Sequence, residues 1–406
     1  MKIRKLTDIK NLKNKRVLVR VDFNVPVKDG RVANNQRILL SIPTIEYLLK
    51  KKAQVVLLTH LGRPVGYNGK ENGEYDKKFD LGPVAEKLGE LIKKKIKLVS
   101  DFNSPISNYF VLAEKEVEKM AEGDIIMLEN IRFFPDEAKD IKVLSKDLAK
   151  LADIFVLDGF AVAHRGAASV SGVAKLLPSY AGLLLTQELE GLSHVTEKPK
   201  KPFVAIIGGV KCETKIPVLN NFLKKASYIL VGGGVVNTYL WAKGNKVGAS
   251  VIDKDFKKEI LKICVNKKII LPVDVVVGKL DGSGAHIVLT DKKINLSAAE
   301  AILDIGPRTT QLFAKYIKKA NTLVMNGALG YFEQSPYQHG TYAISRLFAA
   351  RSRGKAFGVA GGGETVQILQ KLGIMDDVDL VSTGGGAMLE YLGGQKLPGV
   401  QAVTKK

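Results

Sequence analysis

The chain has 406 residues, of which 46% are hydrophobic and 25% charged, with two cysteines and a formal net charge of +21. These proportions belong to folded globular proteins and exclude long disordered or fibrous segments, while the length exceeds what one core usually serves, so two domains are expected. No apolar run of about 18 residues occurs, so no membrane partner is expected. Residues 1–20 carry no apolar signal region, and Cys212 and Cys264 sit in no CxxC or Cys/His metal spacing. Both features point to the reducing cytoplasm. The excess lysines fall in short runs, 50–52, 93–95 and 267–268, which read as solvated faces, so nucleic acid is not an expected partner.

Short apolar runs alternate with helical patterns along the whole chain. In the first half they are 16–21, 54–59, 124–129 and 154–158; in the second, 203–207, 228–231, 269–272, 322–325, 356–360 and 378–381. Near-continuous Val, Ile and Leu in such runs predicts parallel strands covered by helices on both faces. The polar stretch 66–80 predicts a surface loop. The stretch 179–193 has helical spacing and leads into the proline-punctuated segment 198–202. The expected architecture is α/β: two Rossmann-like lobes, each a mostly parallel sheet flanked by helices, joined by a connecting helix. The expected boundaries are 1–180 for the first lobe, 181–197 for the connecting helix or hinge, and 198–390 for the second lobe. Residues 391–406 are expected to form a C-terminal segment packing back toward the first lobe.

Ligands of open parallel sheets bind at the carboxyl ends of the strands, so the residues just after each run matter most. In the first half these include Asp22, Asn24, Arg37, His60, Arg63, Arg132, His164 and Arg165, in the strings RVDFNVP, LLTHLGRP, LENIRFFP and DGFAVAHRGAAS. A single arginine there ordinarily serves a surface ion pair, and a histidine a structural hydrogen bond. Four arginines at successive strand ends instead suit a small polyanion, because the guanidinium fork matches carboxylate and phosphate. In the second half, IIGGVKCETKIPVLNNFL places Lys211 and Lys215 at a helix start, with Thr214 expected as N-cap and Pro217 in the first turn. Positive charge opposes the helix dipole there, and an anion would relieve the conflict. VMNGALGYFE brings Asn326 and Glu333, the latter either a ribose acceptor or a structural cap. Two glycine triplets follow, Gly361-Gly362-Gly363 before Glu364-Thr365, and Gly384-Gly385-Gly386 after Ser382-Thr383. A lone triplet is ordinarily just a tight turn, but two in strand-glycine-helix context suit phosphate, with the Glu364 carboxylate placed for magnesium.

These strings, in this order, closely resemble the phosphoglycerate kinase family, from RVDFNVP at Arg20 to STGGGAMLEYLGGQKLPGV ending at Val400. The resemblance implies reversible transfer of the acyl phosphate of 1,3-bisphosphoglycerate to MgADP, giving 3-phosphoglycerate and MgATP in glycolysis and gluconeogenesis, by a monomer. It implies a first lobe binding the phosphoglycerate through Asp22, Asn24, Arg37, His60, Arg63, Arg132 and Arg165. It implies a second lobe binding the nucleotide through Lys215, Asn326, Glu333, Gly362, Gly363, Glu364 and Thr365. Arg37, Lys211, Lys215, Gly363 and Gly386 match positions used on the transferring phosphoryl group, and Glu364 the position nearest Mg2+, itself held mainly by nucleotide phosphates.

The chemistry agrees with that implication. A carboxylate and an ADP phosphate are already ionised at neutral pH, so no general base is needed, only alignment and dense positive charge. With one ligand on each lobe, transfer is expected to require lobe closure about the connector. The chain departs from the family pattern at Glu364, usually aspartate, and at Gly159, Ala161 and Ala167, usually alanine, glycine and histidine. It departs also at Met325, Ala328 and Arg308, usually tryptophan, proline and lysine. Competing expectations are a relative acting on another acyl phosphate or carboxylate acceptor, and a basic polyanion-binding protein without catalysis. A dehydrogenase is disfavoured, because no G-x-G-x-x-G with a ribose-binding acid about 20 residues on follows the first strand.

Overall fold

The computed structural model describes residues 2–64, 76–100, 108–138 and 141–405. Most of the expected loop 66–80 lies outside them; its end, Lys77–Phe79, is a 3-10 turn. The chain divides into two compact units, Met1–Leu189 with Lys396–Lys406, and Glu190–Gln395.

The first unit is built on six parallel strands in the order Lys97–Val99, Ile125–Leu128, Gln54–Leu58, Arg16–Arg20, Ile154–Leu157 and Ser179–Ala181. Val55 to Leu58 and Val17 to Val19 are buried, as strands covered on both faces require. The chain enters at Arg16–Arg20, adds strands on one side, then crosses to the other. The carboxyl end of this first strand is therefore a topological switch point, the place where open α/β sheets leave a crevice. The helix Gln36–Lys50 carries Arg37 in its first turn. Residues 396–405 belong to the same unit: Gly399 donates its N–H to the Ala163 carbonyl at 2.8 Å, and Thr404 bridges antiparallel to Ile3.

The second unit repeats the plan with Ile269–Ile270, Tyr228–Val231, Phe203–Ile207, Thr322–Asn326, Phe357–Gly361 and Leu380–Ser382, all parallel. Its switch point is the carboxyl end of Phe203–Ile207. A three-stranded antiparallel sheet, His286–Leu289, Asp274–Gly278 and Ala301–Ile305, is added to this unit.

Two sequence expectations need correction. The stretch 179–193 is not one helix: Ser179–Ala181 is the last strand of the first sheet, and the helix is Leu183–Thr196. The division is made by Gly182, whose position is pressed against Asp158, while the Asp158 carboxylate accepts the Leu184 N–H at 3.0 Å and starts the helix. Thr214 is not an N-cap. The helix Cys212–Lys225 begins two residues earlier with Lys211 at the cap, Cys212 buried inside it, and Pro217 in its interior rather than its first turn.

A Cβ at position 182 would stand 2.8 Å from the Cβ of fully buried Asp158. Gly182→Ala is expected to destabilise the first unit by about 1–3 kcal/mol, read as a lower urea midpoint, because neither backbone nor aspartate has room to yield. An unchanged midpoint would refute this account of the strand-to-helix turn.

Candidate active site

At the switch point of the first unit, side chains from three strand ends form a hydrogen-bonded cluster, and a fourth end adds the charge of Arg165. Asp22 accepts from Arg37 Nη1 at 2.7 Å and from the Asn24 N–H at 3.2 Å, and Asn24 Oδ1 accepts the Gly62 N–H at 2.9 Å. Asn130 Oδ1 accepts the N–H groups of Leu61 and Arg132, so it ties the 54–58 and 125–128 strand ends together. The buried Arg132 guanidinium donates to the Gly62 carbonyl. At the centre lies His60, buried, its Nδ1 3.2 Å from Arg20 Nη2. Burial holds this histidine well below its ordinary pKa, and the charges of Arg20, Arg132, Arg165 and Arg37 push it lower still. The imidazole is therefore held toward its neutral form, with four guanidinium charges acting on it.

Of the expected residues, the cluster brings together Asp22, Asn24, Arg37, His60, Arg132 and, through its charge, Arg165; Arg63 is exposed at the same edge. Gly159 stands where a Cβ would come 3.2 Å from the Asp22 N–H nitrogen, so the usual alanine would crowd the very residue that holds Arg37. Sequence reasoning missed Arg20 and Glu137 as members. The signal for Arg20 was a cation closing the apolar strand RVLVR; Glu137 gave none.

At the switch point of the second unit, Lys215 is buried and its ammonium donates to Asn326 Oδ1. Burial pulls its pKa down to about 8, against a raising influence from Glu364. Asn326 Nδ2 donates to the Gly361 carbonyl at 2.6 Å, and Thr365 Oγ1 accepts the Gly327 N–H at 2.8 Å. Glu364 Oε2 accepts the Ala328 N–H at 3.1 Å, a reach across to the neighbouring strand end. Gly362 has φ +97°, and a Cβ there would meet Asn326 Nδ2 at 2.8 Å, so this turn is closed to other residues on both counts. Gly363 and Gly386 start their helices with open space where a Cβ would stand, while Lys211 is exposed at its cap. Gly386 and Lys211 thus stand outside the bonded cluster of Lys215, Asn326, Gly362, Glu364 and Thr365.

Beside that cluster is a cavity of about 310 Å³, lined by Gly209, Gly233, Asp304, Leu329, Glu333 and Glu364 among others. The volume lies in the range of small-ligand pockets, and its apolar walls, with a few polar groups, suit a nucleoside. The wall formed by Ala301–Ile305 comes from the antiparallel sheet, which sequence reasoning did not single out.

Guanidinium groups ringing a neutral histidine in one α/β unit, and an ammonium among glycine turns in the other, define a phosphotransferase that works between anionic ligands. The comparisons with known proteins give the family. The family model for phosphoglycerate kinase matches residues 6–395. A phosphoglycerate kinase of Francisella tularensis is 43% identical over 403 residues, 98% of this chain and 97% of that protein. One from Pelotomaculum thermopropionicum is 41% identical over 403 residues, covering 98% of each chain. Among solved structures, the phosphoglycerate kinase of Coxiella burnetii superposes with a TM-score of 0.86 at 37% identity over 99% of both chains. That of Pyrococcus horikoshii gives 0.81 at 31% identity, covering 99% of this chain and 98% of its own. The chain belongs to the phosphoglycerate kinase family, and its activity is that of a glycolytic kinase with a nucleotide substrate.

Asp304 gives a pH test of the cavity wall. Its carboxylate accepts the Gly340 N–H at 2.7 Å and the Thr341 hydroxyl at 3.4 Å, and burial raises its pKa from 3.8 to about 7. The folded state therefore holds this proton more tightly than the unfolded state. Its stabilising contribution is complete below pH 3.8 and is lost as pH rises through about 7. The urea midpoint of Asp304→Asn, measured against the unaltered protein, should rise progressively over that window; a pH-independent offset contradicts the shift.

Proposed function

We propose that the first unit binds 3-phosphoglycerate or 1,3-bisphosphoglycerate through Asp22, Asn24, Arg37, His60, Arg63, Arg132 and Arg165. The second binds ADP or ATP through Lys215, Asn326, Glu333, Gly362, Gly363, Glu364 and Thr365. The observation that carries this reading is the bearing of four arginine charges on the single neutral imidazole of His60. A small ligand with a carboxylate and a phosphate is matched to guanidinium forks gathered in this number at a sheet's switch point.

In the forward reaction an ADP terminal phosphate oxygen attacks phosphorus of the acyl phosphate. The new P–O bond forms as the bond to the carboxyl oxygen breaks, and the electron pair leaves on the 3-phosphoglycerate carboxylate. No proton moves, so no side chain acts as base. Arg37, Lys211, Lys215 and the N–H groups at Gly363 and Gly386 stabilise charge on the transferring equatorial oxygens. Lys215, with a pKa of about 8, is largely charged at neutral pH, and a bound phosphate would raise it further.

Magnesium fits this site as a passenger of the nucleotide. Glu364 is a hard oxygen donor at the glycine turn, and magnesium needs only one or two carboxylates beside substrate phosphates. When bound, it neutralises phosphate charge. Accepting the Ala328 N–H leaves the Glu364 carboxylate with acceptor capacity that would serve the ion or its waters. Turnover draws on both units, with the helix Leu183–Thr196, within which the boundary between them falls, as the proposed hinge. No helix among the described residues is long and apolar enough to cross a membrane. The family reading adds a cytoplasmic monomer.

A coupled assay supplying 1,3-bisphosphoglycerate and MgADP should show ATP formation. Arg37→Ala and Lys211→Ala should each lower kcat by about 10²–10³-fold at unchanged melting temperature, the usual scale for losing one transition-state charge contact. Absence of ATP from folded, unaltered protein would overturn the assignment.

A further inference from the structure

Behind His60 runs a buried relay that none of the substrate contacts above requires. Arg20 is 2% exposed. Each nitrogen of its guanidinium has a partner: Nη1 donates to the Val21 carbonyl at 2.7 Å, Nε to Ser169 Oγ at 2.9 Å, and Nη2 faces His60 Nδ1 at 3.2 Å. Ser169, fully buried, sends its hydroxyl proton to Glu137 Oε1 at 2.6 Å, and its backbone N–H goes to Glu137 Oε2 at 2.9 Å. Glu137 is buried too, on the 3-10 turn Pro135–Glu137.

The donor and acceptor inventory allows one consistent order. Arginine has only donors, so His60 Nδ1 must accept and its ring proton must sit on Nε2. A serine hydroxyl has one proton; the Arg20 Nε–H needs an acceptor, so that proton points to Glu137. Burial raises the Glu137 pKa, while the Arg20 charge, the two Ser169 hydrogen bonds and the Arg132 charge act in the opposite sense, so Glu137 and Arg20 favour each other's charged forms.

We infer that Glu137 and Ser169 are positioning residues for the phosphoglycerate site, acting through Arg20 to hold His60 as the neutral Nε2–H tautomer, a donor to the anionic ligand. This rests on the reading that His60 contacts that ligand. Without the anchor, Arg20 keeps its bond to the Val21 carbonyl but loses the one that directs its Nε edge, so its hold on His60 Nδ1 loosens and the ring can carry its proton there, which would turn an acceptor nitrogen toward an anion.

The test uses the full chain labelled with 15N-histidine, with the His60 signals identified by their absence from His60→Gln. Long-range 1H–15N correlation should show the Nε2–H tautomer in the unaltered protein and a mixed tautomer in Ser169→Ala. Ser169→Ala should also raise KM for 3-phosphoglycerate about tenfold, the scale of losing one charged hydrogen bond, with KM for ATP unchanged. Glu137→Gln keeps the size and one acceptor, and should show the same two effects in weaker form. A pure Nε2–H signal with ordinary KM in both variants would overturn the inference. So would equal losses in both KM values that track a lowered melting temperature, which mark a merely structural role. If the tautomer shifts while His60→Gln leaves KM for 3-phosphoglycerate intact, the relay stands and the substrate contact assigned to His60 fails.

Discussion

The burial of positive charge is the constraint on which both units depend. Positive groups gathered at the carboxyl ends of parallel strands repel one another, and each is expensive to bury without an acceptor. The chain meets that cost locally. Arg37 leans on Asp22, Arg132 on the Gly62 carbonyl, Arg20 on Val21 and Ser169, and Lys215 on Asn326. These partners hold the cations in place without neutralising all of them: a carbonyl and an amide oxygen carry only partial charge, so the field toward an incoming anion survives. Phosphoryl transfer between two anions needs a field of this kind, fixed before the ligands arrive.

The two units solve the problem with different chemistry on the same sheet plan. The first uses guanidinium forks, suited to a ligand whose carboxylate and phosphate have definite geometry. The second uses one buried ammonium, backbone N–H groups at glycine turns, and an apolar cavity, suited to a nucleotide whose base packs while its phosphates meet the turns. Glu364 shows how the chain's own departures are absorbed. One methylene longer than the aspartate usual in the family, it reaches the Ala328 N–H, and Ala328 itself has that N–H because it is not the usual proline. The two departures are thus chemically linked: a proline at 328 would have nothing to donate.

Much of this was legible in the sequence, for a physical reason. Parallel strands covered on both faces must be apolar without interruption, so runs such as Val55 to Leu58 and Phe203 to Ile207 announce themselves, and the cationic residues just after them mark the sheet edge. What escaped was set by tertiary contacts. Ser179–Ala181 is three residues of strand inside a stretch with helical spacing, divided from its helix by the pressure of Asp158 on Gly182. The helix at Cys212 starts early because a buried cysteine anchors it, overriding Thr214, whose hydroxyl turns back to the Lys211 carbonyl. His286–Leu289, on the edge of the antiparallel sheet, is four residues long, and its apolar residues Ile287, Val288 and Leu289 are exposed or half-buried, so the run is too short and too solvated to stand out as a core strand. Arg20 and Glu137 join the cluster through burial and hydrogen bonding, neither of which a linear string displays.

The joining of residues 396–405 to the first unit has a consequence for biosynthesis. Arg4 donates to the Ala402 carbonyl at 2.6 Å across a separation of 398 positions, and Lys405 donates its N–H to the Lys2 carbonyl at 2.9 Å. The second unit is one uninterrupted length of chain, whereas the first is assembled from both extremes. Synthesis in order therefore yields the whole second unit before it yields the segment 396–405 that joins the unit begun first. That earlier half waits, incomplete, through the synthesis of more than two hundred intervening residues, 190–395.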